Sequence, residues 1–551
     1  MRRFEYEVLV IGGGGAGAIA AYEAAKDANV GLVSKGRVGR SGCTILAPGA
    51  VAGVDEFWAE DEDSKELHMK DTVEGGAFIN EQNLLNILIE KAPDIILEME
   101  RIGALWERNE EGDNYQLRTG GGHTHPRCVH MEDRTGREIM MALSSILRKM
   151  HIKRHEGIMI TKIVKGANGV KGAIGFDTLT LEPVLFEAPS VILATGGAGM
   201  VYSNTSNPLD VTGDGYKLAL DAGAALMDME FVQFFPIGFL SPKSYKGVLA
   251  GVPYHLHLRN SEGERFMKNY DPERMELSTR DKVARAMFSE VKEGRGGPLG
   301  GVYCDMRYQT KEFLQEQQPF LYKTYRKLGI DPQEEMFEVM PTCHFFMGGV
   351  VVDESWETDV PGLYAAGEVV GGIHGANRLS QNALAHILVS GKIAGKEARE
   401  RSNRSKIERI GTEEVENESM KLENIKNEHG DPGKVRDEIR NSMWENSSVF
   451  RTEESLQEEL KILEDLEAES GVEESGSSNE IITYLENQSL IEVSRCISMA
   501  ALEREESRGA HYRYDFEEKN DDEWLKHLVI RKEGEELVVE NKDVEMSYIG
   551  V

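Results

Sequence analysis

The stretch VLVIGGGGAG, residues 8–17, decides the fold. Four apolar residues in a row read as a buried strand, and the glycines after them read as a tight turn into a helix. Gly12, Gly14 and Gly17 stand in the order GxGxxG, with Gly15 and Ala16 inside the same turn. Glycine there lets the chain turn sharply and lets a pyrophosphate approach the main chain. The free N–H groups and positive end of the following helix then face that anion. The motif alone is weak. Preceded by a strand, and followed by the helix AIAAYEAAKDA and a second strand VGLVS, it predicts a dinucleotide-binding βαβ unit. An acidic residue usually ends the second strand and binds ribose hydroxyls. Here Ser34 and Lys35 stand in that place, and a serine hydroxyl still offers such a bond.

Two more strand ends carry glycines. ATGGAG, 194–199, contains Thr195, Gly196 and Gly197, and GLYAAGE, 362–368, ends on Glu368. Three glycine-punctuated strand ends, far apart in sequence, fit one long cofactor, FAD, with Glu368 placed for a ribityl or ribose hydroxyl. Residues 158–195 alternate as strands with a turn at AlaAsnGly. Residues 79–105 have helical apolar spacing interrupted by Pro93, and a helix is expected near 381–398. The segment 239–344 has a different texture. Residues 400–434 are rich in Arg, Lys, Glu and Asn and end in HGDPG, a linker or turn signal. Leu456, Leu460, Leu463 and Leu466 then mark a bundle face, SGVEESGSSNE (470–480) a joint, and 480–506 a further helix. The last stretch reads as short strands and turns.

Composition narrows the function. The 551 residues exceed one core and suggest roughly three or four domains. A net charge of −32 argues against nucleic acid and against docking on anionic lipid by charge. The five cysteines, Cys43, Cys128, Cys304, Cys343 and Cys496, form no CxxC pair. They fit neither a disulfide framework nor cluster or zinc spacing, and they point to a reducing, cytoplasmic setting. His123 and His125 make an HxH with no third ligand at useful spacing, so no metal is expected. The opening MRRFEYEVLVIGG lacks the features of a signal peptide, and no apolar run reaches the ~20 residues of a membrane span.

GRSGCTILAPGAVAG (39–53), DRTGREIMMAL (133–143), VTGDGYKLALDAGA, ELSTRDKVARAM (276–287), PTCHFFMGG (341–349) and HGANRLSQNALA (374–385) extend the pattern in order. With SRGAHYRYDF and DDEWLKHLV near the end, the chain resembles the flavoprotein subunit of succinate dehydrogenase and fumarate reductase. SGCT and FFMGG are most similar to the archaeal thiol-dependent enzymes that couple fumarate reduction to oxidation of coenzyme M and coenzyme B. The resemblance implies an α/β fold: a Rossmann-like FAD-binding domain (1–238 and 345–400) split by a capping domain (239–344). A C-terminal helical domain (401–510) and a small domain (511–551) follow. It also implies flavin contacts at Ser41, Gly42, Thr44, Gly49, Asp214, Glu368, Arg378, Ala383 and Leu384. Many members attach FAD through a histidine where this chain has Cys43, so non-covalent FAD is expected. A separate iron–sulfur subunit is implied as electron partner, with thiol-oxidising modules beyond it.

The family chemistry moves a hydride between flavin and a carbon–carbon bond next to a carboxylate. His344 and Arg378 align with the carboxylate clamp, and Arg280 with the arginine that shuttles the proton. In FVQFFPIG, 231–238, Phe235 stands where the family has a histidine that binds a second carboxylate. An ungapped count places Val248, Leu249 and Val252 at further polar family positions. The expectation is a substrate with one carboxylate and an apolar or neutral far end. Tyr254, His255 or His123 could rebuild the second site, leaving a true fumarate reductase or succinate dehydrogenase. A flavin relay without its own substrate is the third reading.

Overall fold

The computed structural model describes residues 1–252, 255–425, 430–473 and 475–551. Its centre is a five-stranded sheet in the order Leu363–Ala365, Ser190–Leu193, Val8–Ile11, Val30–Ser34, Lys153–Glu156. Every pairing in it is parallel. The three middle strands are buried throughout, which is why their sequences are mostly apolar and do not alternate. Helix Gly15–Ala24 makes the first crossover, and helix Asn382–Ser402 packs across it. Glycine makes that crossing close. A Cβ on Gly391 would lie 2.4 Å from the Ala16 carbonyl oxygen, and one on Gly395 2.5 Å from that of Ala20.

A second sheet joins Arg2–Glu5 to the meander Ile158–Gly166, Gly169–Asp177 and Pro183–Glu187, the segment whose alternation was visible in sequence. Between the strands Ser190–Leu193 and Leu363–Ala365 the chain leaves the parallel sheet. It builds an antiparallel sheet from Val232–Phe239, Phe337–Phe346, Val302–Asp305 and His257–Arg259. Phe235, Ile237, Phe239, Leu258, Val283 and Val339 belong to a core of this part, separate from the main one. The fold is thus α/β, with a Rossmann-like unit interrupted by a capping segment and followed by helices and a small tail.

Helices Pro432–Asn446, Glu453–Glu469 and Ser478–Glu503 pack together, with Leu456, Leu463 and Leu466 buried between them. The tail forms a hairpin, Lys526–Glu533 with Glu536–Asp543, whose first strand pairs with Leu226–Met227. One local reading changes. Gln82–Arg101 is one continuous helix with buried Pro93 inside it; packing on its apolar face outweighs the lost hydrogen bond. Within the charged stretch that follows residue 400, Thr412–Asn424 is a helix that buries Val415 and Glu418.

A buried ionic network locks the tail to the core. Arg504 is 0% exposed; its Nε donates to Glu230 at 2.6 Å and its Nη1 to Glu506 at 3.2 Å. Arg508 holds the other side of Glu506 with two bonds. Removing one member leaves buried charge without a partner, which costs about 3–5 kcal/mol. Arg504→Met should therefore lower the denaturant-unfolding free energy by roughly that amount. A loss under about 1 kcal/mol, the scale of an exposed pair, would show the network to be dispensable.

Candidate active site

The first site is a cleft of ≈ 900 Å³, open to solvent, along the ends of the parallel strands. Residues 12–16, Ser34, Lys35, residues 41–44, Thr195, Gly196, Asp214 and Glu368 line it. The glycines are obligatory: a Cβ on Gly12 would lie 2.0 Å from the Ala194 carbonyl oxygen, and φ there is +120°. Gly15 N–H donates to Thr44 Oγ1 at 3.2 Å, tying the glycine turn to the loop that carries Cys43. Thr195 Oγ1 is buried without a hydrogen-bond partner, a polar group waiting for one. Glu368 is 8% exposed, and burial pushes its carboxyl up to about 7, although it accepts from Phe346 N–H. A long cleft, a glycine turn at a helix start, an orphaned hydroxyl and a buried carboxyl fit FAD.

Several expected cofactor contacts sit differently. Lys35 donates to Asp214 Oδ2 at 2.8 Å and also pairs with Glu486 of the helical region at 2.6 Å, so the Lys35 and Asp214 charges are spent on each other. Gly17, Gly49, Gly197, Arg378, Ala383 and Leu384 do not line the cleft. Gly17 packs on the Gly12 carbonyl, Gly49 on the Gln381 side chain and Gly197 on Glu368. Ala383 and Leu384 lie in the first turn of the helix Asn382–Ser402, entered through Gln381 at φ +69°. Cys43 is half-buried; its thiol lies 3.2 Å from Asn207 Oδ1, and burial, then Glu368 and Asp210, push it well above the usual thiol range.

Beside this cleft four segments meet. Arg280 opens the helix Arg280–Glu290, Arg378 comes from the loop before helix Asn382–Ser402, and Phe235 and His344 come from two paired strands. Arg280 Nη1 donates to Gln233 Oε1 at 2.8 Å, and Arg378 Nη2 donates to the same oxygen at 2.9 Å. Gln233 Nε2 in turn donates to Asn377 Oδ1 and to the Arg378 carbonyl. Arg280 also donates to Ser380 Oγ at 3.2 Å. Its sequence neighbour Asp281 pairs with Arg285 at 2.9 Å and accepts from Asn377.

The field there is positive. Arg378 is 5% exposed and its Nε has no partner. Burial, then the Arg280 charge, pulls its guanidinium well below the usual range. His344 is held neutral by burial and by the two arginines, and Ser206 Oγ lies 2.9 Å from its Nδ1. The Phe235 ring has the Arg280 guanidinium 5.1 Å above it and the His344 ring 5.4 Å away. The Arg378 guanidinium lies over a different ring, 4.5 Å from the centre of Phe345, so two guanidiniums and an imidazole gather here beside apolar rings, an arrangement suited to an anion.

The remaining candidates lie at different distances from this centre. His123 is buried and donates from Nε2 to the Ser380 carbonyl at 2.6 Å, on the residue whose hydroxyl accepts from Arg280; burial lowers its pKa to about 4. His255 accepts at Nδ1 from Gln318 at 2.6 Å and packs on Phe313, both in the capping segment. Tyr254 lies outside the described residues. Val248 is 42% exposed, at the end of a turn that pairs with Phe239, so it does not seal a buried far wall. Gln233 and Ser380 were not singled out in sequence. Gln233 had a signal, being one polar side chain in the wholly buried strand Val232–Phe239, where a buried amide must find partners.

Comparison with known proteins agrees with this geometry. The FAD binding domain family matches residues 7–384, and the fumarate reductase flavoprotein C-terminal family matches 436–550. The chain is 40% identical to a subunit of the CoM/CoB fumarate reductase of Methanothermobacter marburgensis, over 97% of this chain and 98% of that one. Among solved structures, E. coli quinol fumarate reductase FrdA superposes with a TM-score of 0.93 at 31% identity, covering 100% of this chain and 98% of that one. Mycobacterium smegmatis Sdh1 superposes at 0.90 with 35% identity, covering 99% and 95%. The chain therefore belongs to the fumarate reductase and succinate dehydrogenase flavoprotein family, FAD-dependent oxidoreductases that act on a carbon–carbon bond.

Proposed function

We propose that this protein exchanges hydride with the carbon–carbon bond of a small acid held by one carboxylate, its far end lying against an apolar wall. The observation that carries this is the Phe235 ring, flanked by the Arg280 guanidinium at 5.1 Å and the His344 ring at 5.4 Å. A second carboxylate buried against that ring without donors would cost several kcal/mol. Residues 12–16, residues 41–44, Thr195 and Glu368 would hold FAD, which would supply or take up the hydride. His344 and Arg378 bind the carboxylate and stabilise the negative charge that grows on it in the transition state. Arg280 holds the proton for the neighbouring carbon. Its Gln233 and Ser380 bonds fix the guanidinium, which an acid of such high ordinary pKa needs in order to act.

A second reading keeps fumarate or succinate as substrate. The names of the relatives favour it. The word subunit in those names, with the family resemblance, supports an iron–sulfur partner as the electron route. The coenzymes M and B in the Methanothermobacter name favour thiols as the ultimate donor. Among the described residues no helix is long and apolar enough to cross a membrane.

The deciding experiment is anaerobic. The flavin is reduced with dithionite, excess reductant is removed, and reoxidation is followed by absorbance with fumarate, crotonate or cinnamate. The first reading expects rapid reoxidation by the mono-carboxylates and little by fumarate. The reverse order would overturn it and establish the second. A separate check concerns attachment. With the Cys43 thiol held protonated, no nucleophile is ready to join the flavin, so denaturation should release all FAD. Yellow colour that stays with the precipitated chain would contradict this.

A further inference from the structure

His344 has a chemical problem to solve. It is neutral, so its ring carries one hydrogen. To bind a carboxylate, that hydrogen must sit on the nitrogen that faces the anion; a bare lone pair there would repel it. The ring has two different environments. Nδ1 lies 2.9 Å from Ser206 Oγ. Nε2 makes no hydrogen bond among the described residues, and it is not one of the buried unpartnered atoms, so it reaches open space in the site.

The hydroxyl of Ser206 has one hydrogen and two acceptors within reach, His344 Nδ1 and the Cys343 carbonyl at 3.1 Å. That carbonyl already accepts from Ser206 N–H at 2.9 Å and from Thr205 Oγ1 at 3.3 Å, which fills its two lone pairs. The Ser206 hydrogen therefore goes to His344 Nδ1, and the ring hydrogen is left on Nε2. The next residue completes the tether: Asn207 Nδ2 donates to the His344 carbonyl, and Asn207 Oδ1 lies beside the Cys43 thiol of the flavin loop.

We infer that Ser206 is a positioning residue that holds His344 in its Nε2–H form, presenting a donor to the substrate's carboxylate. This rests on the proposed role of His344 as part of the carboxylate clamp. Residues 205–207 thereby couple the orientation of the clamp to the loop beside the flavin.

The test uses the full-length, FAD-loaded protein and two readouts. Nitrogen NMR of isotope-labelled histidine, assigned with a His344→Gln protein, reports which ring nitrogen carries hydrogen. Titration with butyrate and malonate, read from the flavin absorbance, gives carboxylate affinity. Wild type should show His344 as a single Nε2–H form. Ser206→Ala should mix the two forms and weaken carboxylate binding about tenfold, the scale of one lost hydrogen bond in a dry site. Ser206→Thr should restore both, with flavin content and melting temperature unchanged in each variant. An Nδ1–H form in wild type, an Ala variant like wild type in both readouts, or a Thr variant as impaired as Ala would overturn the inference. Failure of both acids to perturb wild-type flavin would count against the carboxylate reading alone, and the nitrogen spectrum would still decide the role of Ser206.

Discussion

Two guanidiniums donate to one amide oxygen. The rest of the site depends on that arrangement, because like charges at such range repel by a few kcal/mol even at an effective dielectric near 20. A neutral acceptor, Gln233, takes a hydrogen bond from each of them. Glu368 offsets Arg378 from the flavin cleft but forms no ion pair with it among the described contacts. A carboxylate placed against Arg378 would bring an opposite charge to it. The unpartnered Arg378 Nε and the neutral His344 fit the same need.

The fold exists to bring those groups together. Gln233 and Phe235 lie on the strand Val232–Phe239, His344 on its partner Phe337–Phe346, Arg280 at the start of a capping helix, and Arg378 just before the helix that crosses the first Rossmann helix. The close packing of that crossing, permitted by Gly391 and Gly395, sets where the Arg378 loop stands against the cleft. Arg285, further along the capping helix, donates to the Gly509 carbonyl, so the tail region also steadies Arg280.

Much of this was legible in the chain. The glycine turn, the burial of its strand and the helix after it follow from local rules, and the structure obeys them. Arg280, His344, Arg378 and Phe235 were found through motif resemblance, and the structure sets all four close together. What escaped was pairing at a distance. Nothing local says that Gln233 accepts from two arginines 47 and 145 residues away, or that Lys35 and Asp214 neutralise each other. Pro93 misled because its apolar surroundings keep a helix that propensity alone would break. Val248 misled because a count along the chain carries no information about exposure.

The central claim is a division of labour, with Arg378 binding the anion and Arg280 moving the proton. The most direct measurement compares Arg280→Gln with wild type in a single turnover, reading carboxylate affinity and flavin reoxidation separately. The account predicts affinity within a few-fold of wild type and a reoxidation rate lower by roughly 10²–10⁴-fold, the usual share of a proton-transfer group. A variant that reoxidises at the wild-type rate once saturated with substrate would contradict it.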